Sequence, residues 1–284
     1  MKIDILKLFF IILILFSNLF SFDNTLKIGI LYEKLFTSKK EANIGIKLWL
    51  KQVEDAGYKK IEAIFYENEE KLINDYKKNK IHIIVSDAML YYENKKIIDE
   101  FSEKKWLMSR SESMFTQYYL LRNKKSDMKI ENFNKVYYVE NMGKVWLEKL
   151  FSKENKDLDI VFKKIEKPKK LIFNIFFNKN ELSIVSKDLY DSMVGINPQI
   201  EQKVEILRKS KQIFFNGIGF TRKNLKKEFV SMLDEMISDM IENQTSFDVI
   251  SFISVQKIYM LKDGDLVELD KFYEEYLKLK ETHK

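Results

Sequence analysis

Cysteine is absent from all 284 residues. That single absence excludes disulfide staples, a thiolate nucleophile or metal ligand, and the lipidated cysteine that would tether an exported bacterial protein. The fold must therefore hold by packing alone. Histidine is nearly absent: His82 lies inside an apolar run and His283 next to the end of the chain. Two histidines so placed offer no metal-ligand spacing, and His82 reads as a core residue. No G-x-S-x-G elbow occurs, and Gly217-x-Gly219 lacks the rest of a dinucleotide or phosphate loop. The expectation is a protein that is not an enzyme and carries neither cofactor nor metal. A one-sided basic surface is also missing, because 43 acidic residues are interspersed among 49 basic ones. With a net charge of +6, this is a mixed surface with a mild cationic bias and not a nucleic-acid stripe.

Long apolar runs are missing too, with one short exception. Lys2 and Lys7 lead into Leu8–Phe16, and Ser17, Asn18 and Ser21 precede the polar turn at Asp23. The block is shorter than the ~20 residues a membrane-crossing helix needs. Its order of charge, apolar core and small residues is that of a secretory signal peptide over residues 1–21, cleaved near Ser21. Leu19 is large for a cleavage site, so an uncleaved membrane anchor stays as the second reading. Either way the remainder is expected in the periplasm. It is long enough for two lobes of ~100–150 residues, and 45% hydrophobic content with 14% aromatics is that of a globular chain.

Periodicity along this remainder alternates. Leu26–Leu31 reads as a strand; Ile46, Trp49, Leu50 and Val53 fall on one face of a helix that Gly57 ends. Ile61–Tyr66 is a strand, Glu69–Lys78 a helix with Leu72, Ile73 and Tyr76 inward, and Ile81–Val85 a strand suited to cover on both sides. This βαβαβ order predicts a parallel sheet, whose ligands sit beyond the carboxyl ends of the strands. Tyr32 and Glu33, Tyr66 and Glu67, and Ser86 and Asp87 would then share one rim. Further on, strands are predicted at Gln117–Arg122, Lys135–Val139, Asp159–Ile165 and Glu181–Val185. Val145–Phe151 reads as a helix, and Leu171–Phe177 as a helix or an apolar turn and strand. Ile200–Arg208 is expected to be helical and Gln212–Arg222 extended. Leu225, Phe229, Met232, Leu233, Met236, Ile237 and Met240 form the core stripe of a long helix. The tail, with Phe272, Tyr273, Tyr276 and Leu277 at helical spacing, is expected to pack back on the first lobe.

The segments Leu26–Ile30, Tyr76–Asp87, Gln117–Lys124 and Asn216–Lys223 together resemble the phosphonate-binding, PhnD-like substrate-binding proteins of ABC importers. The resemblance spans roughly Leu26 to Met240. It implies an α/β, two-lobed periplasmic-binding-protein fold of type 2, each lobe a mostly parallel sheet flanked by helices, joined by two hinge strands. The hinges would lie near Thr116–Leu121 and Gln212–Gly217. Lobe 1 would comprise 22–116 plus 215–284, and lobe 2 residues 117–214. A monomer is implied, with a small-molecule ligand trapped between the lobes and an ABC permease as partner. The alternative partner is a membrane histidine kinase or other receptor that the same closure would signal to.

The ligand signature departs from that family. Phosphonate binders resemble one another in a Ser/Thr-rich turn ahead of a second-lobe helix. The matching segment here is Val139-Glu140-Asn141-Met142-Gly143, with no hydroxyl and a carboxylate where the anion would sit. His82 and Ser183 stand where acidic residues are typical. The candidate ligand-binding set is therefore Tyr32, Tyr66, Ser86, Asp87, Tyr92, Glu140, Asn141 and Gly143; Tyr92 matches in place a tyrosine that the family carries near its ligand. Aromatics beside one or two acids would suit a cationic or zwitterionic molecule, while the amides of Gly143 and its helix could still hold an oxyanion.

Overall fold

The computed structural model describes residues 25–31, 39–58, 61–109, 112–154, 160–165, 167–242 and 257–282. Tyr32, Glu33, the leader and His283 lie outside them. The chain runs β1 (Leu26–Leu31), α1 (Lys39–Asp55), β2 (Ile61–Tyr66), α2 (Glu69–Lys77), β3 (Ile83–Asp87), α3 (Ala88–Glu93), α4 (Lys95–Phe101) and β4 (Ser102–Ser109). It continues with β5 (Tyr118–Asn123), β6 (Lys135–Tyr138), α5 (Asn141–Lys153), β7 (Val161–Lys164), α6 (Pro168–Phe177), β8 (Leu182–Ser186) and α7 (Lys187–Ile196). Last come α8 (Gln199–Lys203), β9 (Val204–Lys209), β10 (Gly217–Arg222), α9 (Lys227–Glu242), β11 (Lys257–Met260) and α10 (Val267–Thr282).

Two sheets result, ordered β11-β4-β10-β3-β1-β2 and β7-β6-β8-β5-β9. Pairing of β1 with β2 and β3, and of β6 with β7 and β8, is parallel. The strand that enters each sheet from the other runs against its neighbours: β5 between β8 and β9, and β10 between β3 and β4. The chain thus crosses between sheets twice, after β4 and after β9. The two crossings touch at an antiparallel bridge between Thr116 and Phe214.

Local chemistry explains the element ends. Asn68 caps α2 by accepting the Lys71 N–H at 2.8 Å. Gly57, at φ +94°, ends α1 with the Tyr58 N–H bonded back to the Val53 carbonyl at 3.0 Å, a closure that needs the left-handed region glycine tolerates. Leu171–Phe177 is resolved as helix, and the α9 stripe is buried at Phe229, Leu233, Met236, Ile237 and Met240.

One expectation is overturned. Of the expected helix at Ile200–Arg208 only residues 200–203 are helical, as part of α8, and Val204–Lys209 is strand β9. The apolar residues Val204 and Ile206 alternate toward the core of the second sheet, and the strand pairs along β5. Pairing with an open sheet edge outweighs the helical spacing.

Three buried clusters fill the molecule. One packs α1 and α9 on one face of the first sheet, and another packs α6 and α7 on one face of the second. The third spans both sheets and includes Tyr92, Tyr118, Met142, Trp146, Phe214, Phe215, Phe272 and Tyr273. The tail helix α10 sits in this shared cluster: Tyr273 packs on Tyr92 with ring centroids 4.8 Å apart, while Lys149 and Lys153 of α5 reach Glu275 at 2.7 and 2.8 Å. It therefore contacts the second sheet's helix as well as the first lobe.

Candidate functional site

The carboxyl ends of β3 and β6 each feed directly into a helix, α3 and α5, and these two helices pack against one another across the two sheets. Met89, Tyr92, Met142 and Trp146 belong to the buried cluster between them. The polar groups at the two helix starts are carboxylates. Asp87 accepts the Leu90 N–H at 2.9 Å and caps α3. Glu140 occupies the capping position of α5 without bonding a helix amide; instead its carboxylate accepts the Tyr118 hydroxyl at 2.6 Å. Each helix N-terminus, a partial positive charge that would otherwise attract an anion, thus carries a negative charge of its own.

The remaining candidates are arranged differently. Ser86 is fully buried and donates to the Asp87 carbonyl at 3.1 Å. Tyr66 folds back over the middle of β1, where its ring lies 3.5 Å from the place a side chain on Gly29 would take, and its hydroxyl donates to Asp75 at 3.1 Å. There it lines a cavity of about 700 Å³ together with Lys27 and His82, at the amino ends of β1 and β3. Tyr92 is buried and donates to Asp270 of α10 at 3.2 Å. Burial, followed by the Asp270 charge, pushes the Tyr92 hydroxyl far above the ordinary phenol range, and burial raises Asp270. Gly143 is buried for packing: a Cβ there would meet Ile184 at 2.9 Å and the Tyr118 ring at 3.0 Å. Tyr32 is outside the described residues. Asp87, Glu140 and Asn141 are partly exposed and stand at the starts of two helices that pack together over buried aromatics.

His82 is not the core residue expected: it is partly exposed and lines the cavity beside Tyr66, held in place by contacts to β1 and α9. Its Nδ1 accepts the Lys27 N–H at 3.1 Å, and its ring stacks on Phe229 with centroids 6.3 Å apart. Among the described residues no cluster of histidine, aspartate and glutamate could hold a metal, and no helix is long and apolar enough to cross a membrane.

Sequence reasoning missed Tyr118, the partner of Glu140. It stood inside a strand already noted, Tyr118-Tyr119-Leu120-Leu121, where nothing separates one tyrosine from the other. The structure does so by face: Tyr118 joins the shared cluster with Trp146 and Phe214, and Tyr119 packs on Tyr190 on the opposite face.

No protein-family pattern and no curated protein matches the chain. Solved structures do. A binding component of an ABC phosphonate transporter from Pseudomonas aeruginosa is similar at TM-score 0.61 and 12% identity, covering 92% of this chain and 89% of that one. PhnD1 of Prochlorococcus marinus, solved with methylphosphonate, is similar at 0.63 and 10%, covering 90% and 99%. A Xanthomonas citri protein solved with chloride is similar at 0.66 and 6%, covering 91% and 99%. At such identities the likeness is one of fold. With two mixed sheets, two crossings and helices on the faces, this chain has the two-lobed fold of the type 2 periplasmic binding proteins.

Proposed function

We propose that this chain is a periplasmic solute-binding protein, not an enzyme, which captures a small molecule between its lobes and delivers it to an ABC importer. The solute we favour carries a positively charged amine and is cationic or zwitterionic. The observation that carries this reading is that both of the packed helices α3 and α5, one from each sheet, start on a carboxylate, Asp87 and Glu140. An oxyanion approaching either helix would meet a negative charge already seated there, whereas an ammonium group would gain a carboxylate acceptor. Tyr118 and Trp146 behind Glu140 add aromatic faces that suit a cation. The double crossing beside Thr116 and Phe214 supports closure about a hinge.

A thermal-shift screen tests this. Amino acids, amines, phosphonates, phosphate and sulfonates are compared at saturating concentration, where a hundredfold excess over Kd adds about 2.7 kcal/mol of stability. An amine-bearing solute is expected to raise Tm, and Glu140→Gln to weaken that solute at least about tenfold while leaving Tm of the free protein nearly unchanged. A phosphonate response that Glu140→Gln strengthens would reject the amine and keep the solute-binding function. Silence across the whole panel would reject both.

A further inference from the structure

On the far side of the second sheet, α6 turns two different faces to its surroundings. Leu171, Ile172, Ile175 and Phe176 are buried against that sheet, so the helix already has its core contact. Its outer face carries Lys169, Phe173 and Phe177 at intervals of four, and the two phenylalanines are 41% and 71% exposed. Ile196, 69% exposed, ends α7, which packs beside α6. Val161, 59% exposed, lies on β7, the edge strand of the same sheet. Lone exposed apolar residues need no explanation, but a grouping of large ones on one face does.

Charge around this grouping is predominantly basic. Five lysines lie on or beside this face, at 163, 167, 169, 170 and 179, while Lys164 alternates to the opposite face of β7; the neighbouring acids are Glu166 in sequence and Glu181, which accepts from Asn178 and Tyr137. These five lysines are exposed and form no ion pair among the described residues. Lys163 shares the face of α6, since its ammonium stands 5.9 Å from the ring of Tyr137 in the cluster that α6 covers.

We propose that this face of α6 and β7 is a peripheral docking surface for an anionic phospholipid bilayer. Exposed aromatic rings surrounded by lysines are the arrangement that enters the headgroup boundary, the rings reaching the acyl edge while the ammonium groups pair with lipid phosphates. A protein partner is the poorer fit, because protein interfaces are depleted of lysine and this patch is rich in it. The inference stands apart from the solute: it concerns the opposite face of the second sheet from α5, and it holds whatever the cleft binds.

The test is co-sedimentation of the exported protein with vesicles of phosphatidylglycerol and phosphatidylcholine in equal parts, and with phosphatidylcholine alone. Binding is expected to the anionic vesicles only, weakening as salt is raised. Phe173→Ser with Phe177→Ser, and separately Lys169→Glu with Lys170→Glu, are each expected to weaken it by about tenfold or more. These side chains face solvent, so Tm should be unchanged in both variants, and a control pair at Lys262 and Lys278 should retain binding. Equal binding to both vesicle types, or anionic binding that neither α6 variant reduces, would overturn the proposal. So would the absence of vesicle binding together with self-association that Phe173→Ser and Phe177→Ser abolish, which would make the face an interface between two copies.

Discussion

Gly219 shows how one missing side chain positions a large one. It sits directly across from Trp106 in the β10–β4 register, and a Cβ at Gly219 would fall 2.1 Å from the indole. The ring therefore crosses the strand to reach the cluster under α9 only because that position is empty. Gly219→Ala is expected to destabilise the protein by about 1–3 kcal/mol, with altered tryptophan fluorescence, and Trp106→Leu in the same chain should recover most of the difference that Trp106→Leu alone does not explain. Additive losses in the double variant, measured by denaturant unfolding, would refute the contact. The sequence showed Gly217 and Gly219 as an incomplete loop motif and could not show this use, which depends on a residue more than a hundred positions away. The rim residues share that difficulty. Ser86, Tyr66 and Tyr92 stand in the expected segments, yet their hydroxyls turn to the Asp87 carbonyl, Asp75 and Asp270. Strand position is legible from periodicity; the direction of a side chain at a strand's end is decided by neighbours from elsewhere in the chain.

At the scale of elements, local patterning was enough for β1, β2, α2 and α9, whose apolar spacing agrees with their burial. It failed where a tertiary partner decides. β4 was not foreseen: Ser102-Glu103-Lys104-Lys105 reads as a polar loop, but Lys104 bonds Asp234 of α9 at 2.6 Å and Lys105 meets Asp99 of α4 at 2.5 Å, so the charges sit at the sheet's flanks with partners from both helices. α10 depends on such partners most plainly. Glu275 lies between Lys149 and Lys153, and their ammonium groups hold its carboxyl down to about 2 from the ordinary 4.5. The partners do not gain equally, because burial draws Lys149 below its usual range in spite of the carboxylate. A depressed folded-state value means that the stability is fully present above 4.5 and disappears as pH falls toward about 2. Glu275 is half exposed, so the contribution is about 0.5–1 kcal/mol after solvent screening. Denaturant midpoints measured through that window should fall more steeply for the parent than for Glu275→Gln. Parallel acid profiles would show that the ion pair contributes nothing.

For the whole molecule, the tail helix sets a condition on lobe motion. α10 is held to the first lobe by Tyr273 on Tyr92 and by the Tyr92–Asp270 hydrogen bond, and to the second sheet's side by Glu275 and by Glu268, which pairs with Lys211 at 3.1 Å just beyond β9. If the lobes rotate about the paired crossings, as the proposed function requires, the rotation must either break these polar links or peel α10 from Tyr92. The links to the second side are both ionic and apolar: beside the exposed Glu268–Lys211 pair, the ammonium of Lys149 stands 4.2 Å over the Phe272 ring, and Phe272 packs on Phe214 of the second crossing with centroids 5.2 Å apart. Removing two of the ion pairs, by Glu268→Gln with Glu275→Gln, is expected to shift the molecule toward a more open arrangement. The double variant without solute should have a larger radius of gyration by small-angle X-ray scattering than the parent. High salt should expand the parent in the same direction, since it screens the same exposed charges. If neither the variant nor salt changes the radius while both retain the parent's Tm, the ion pairs do not govern closure, and the apolar cluster around Phe214 and Phe272 holds the lobes together by itself.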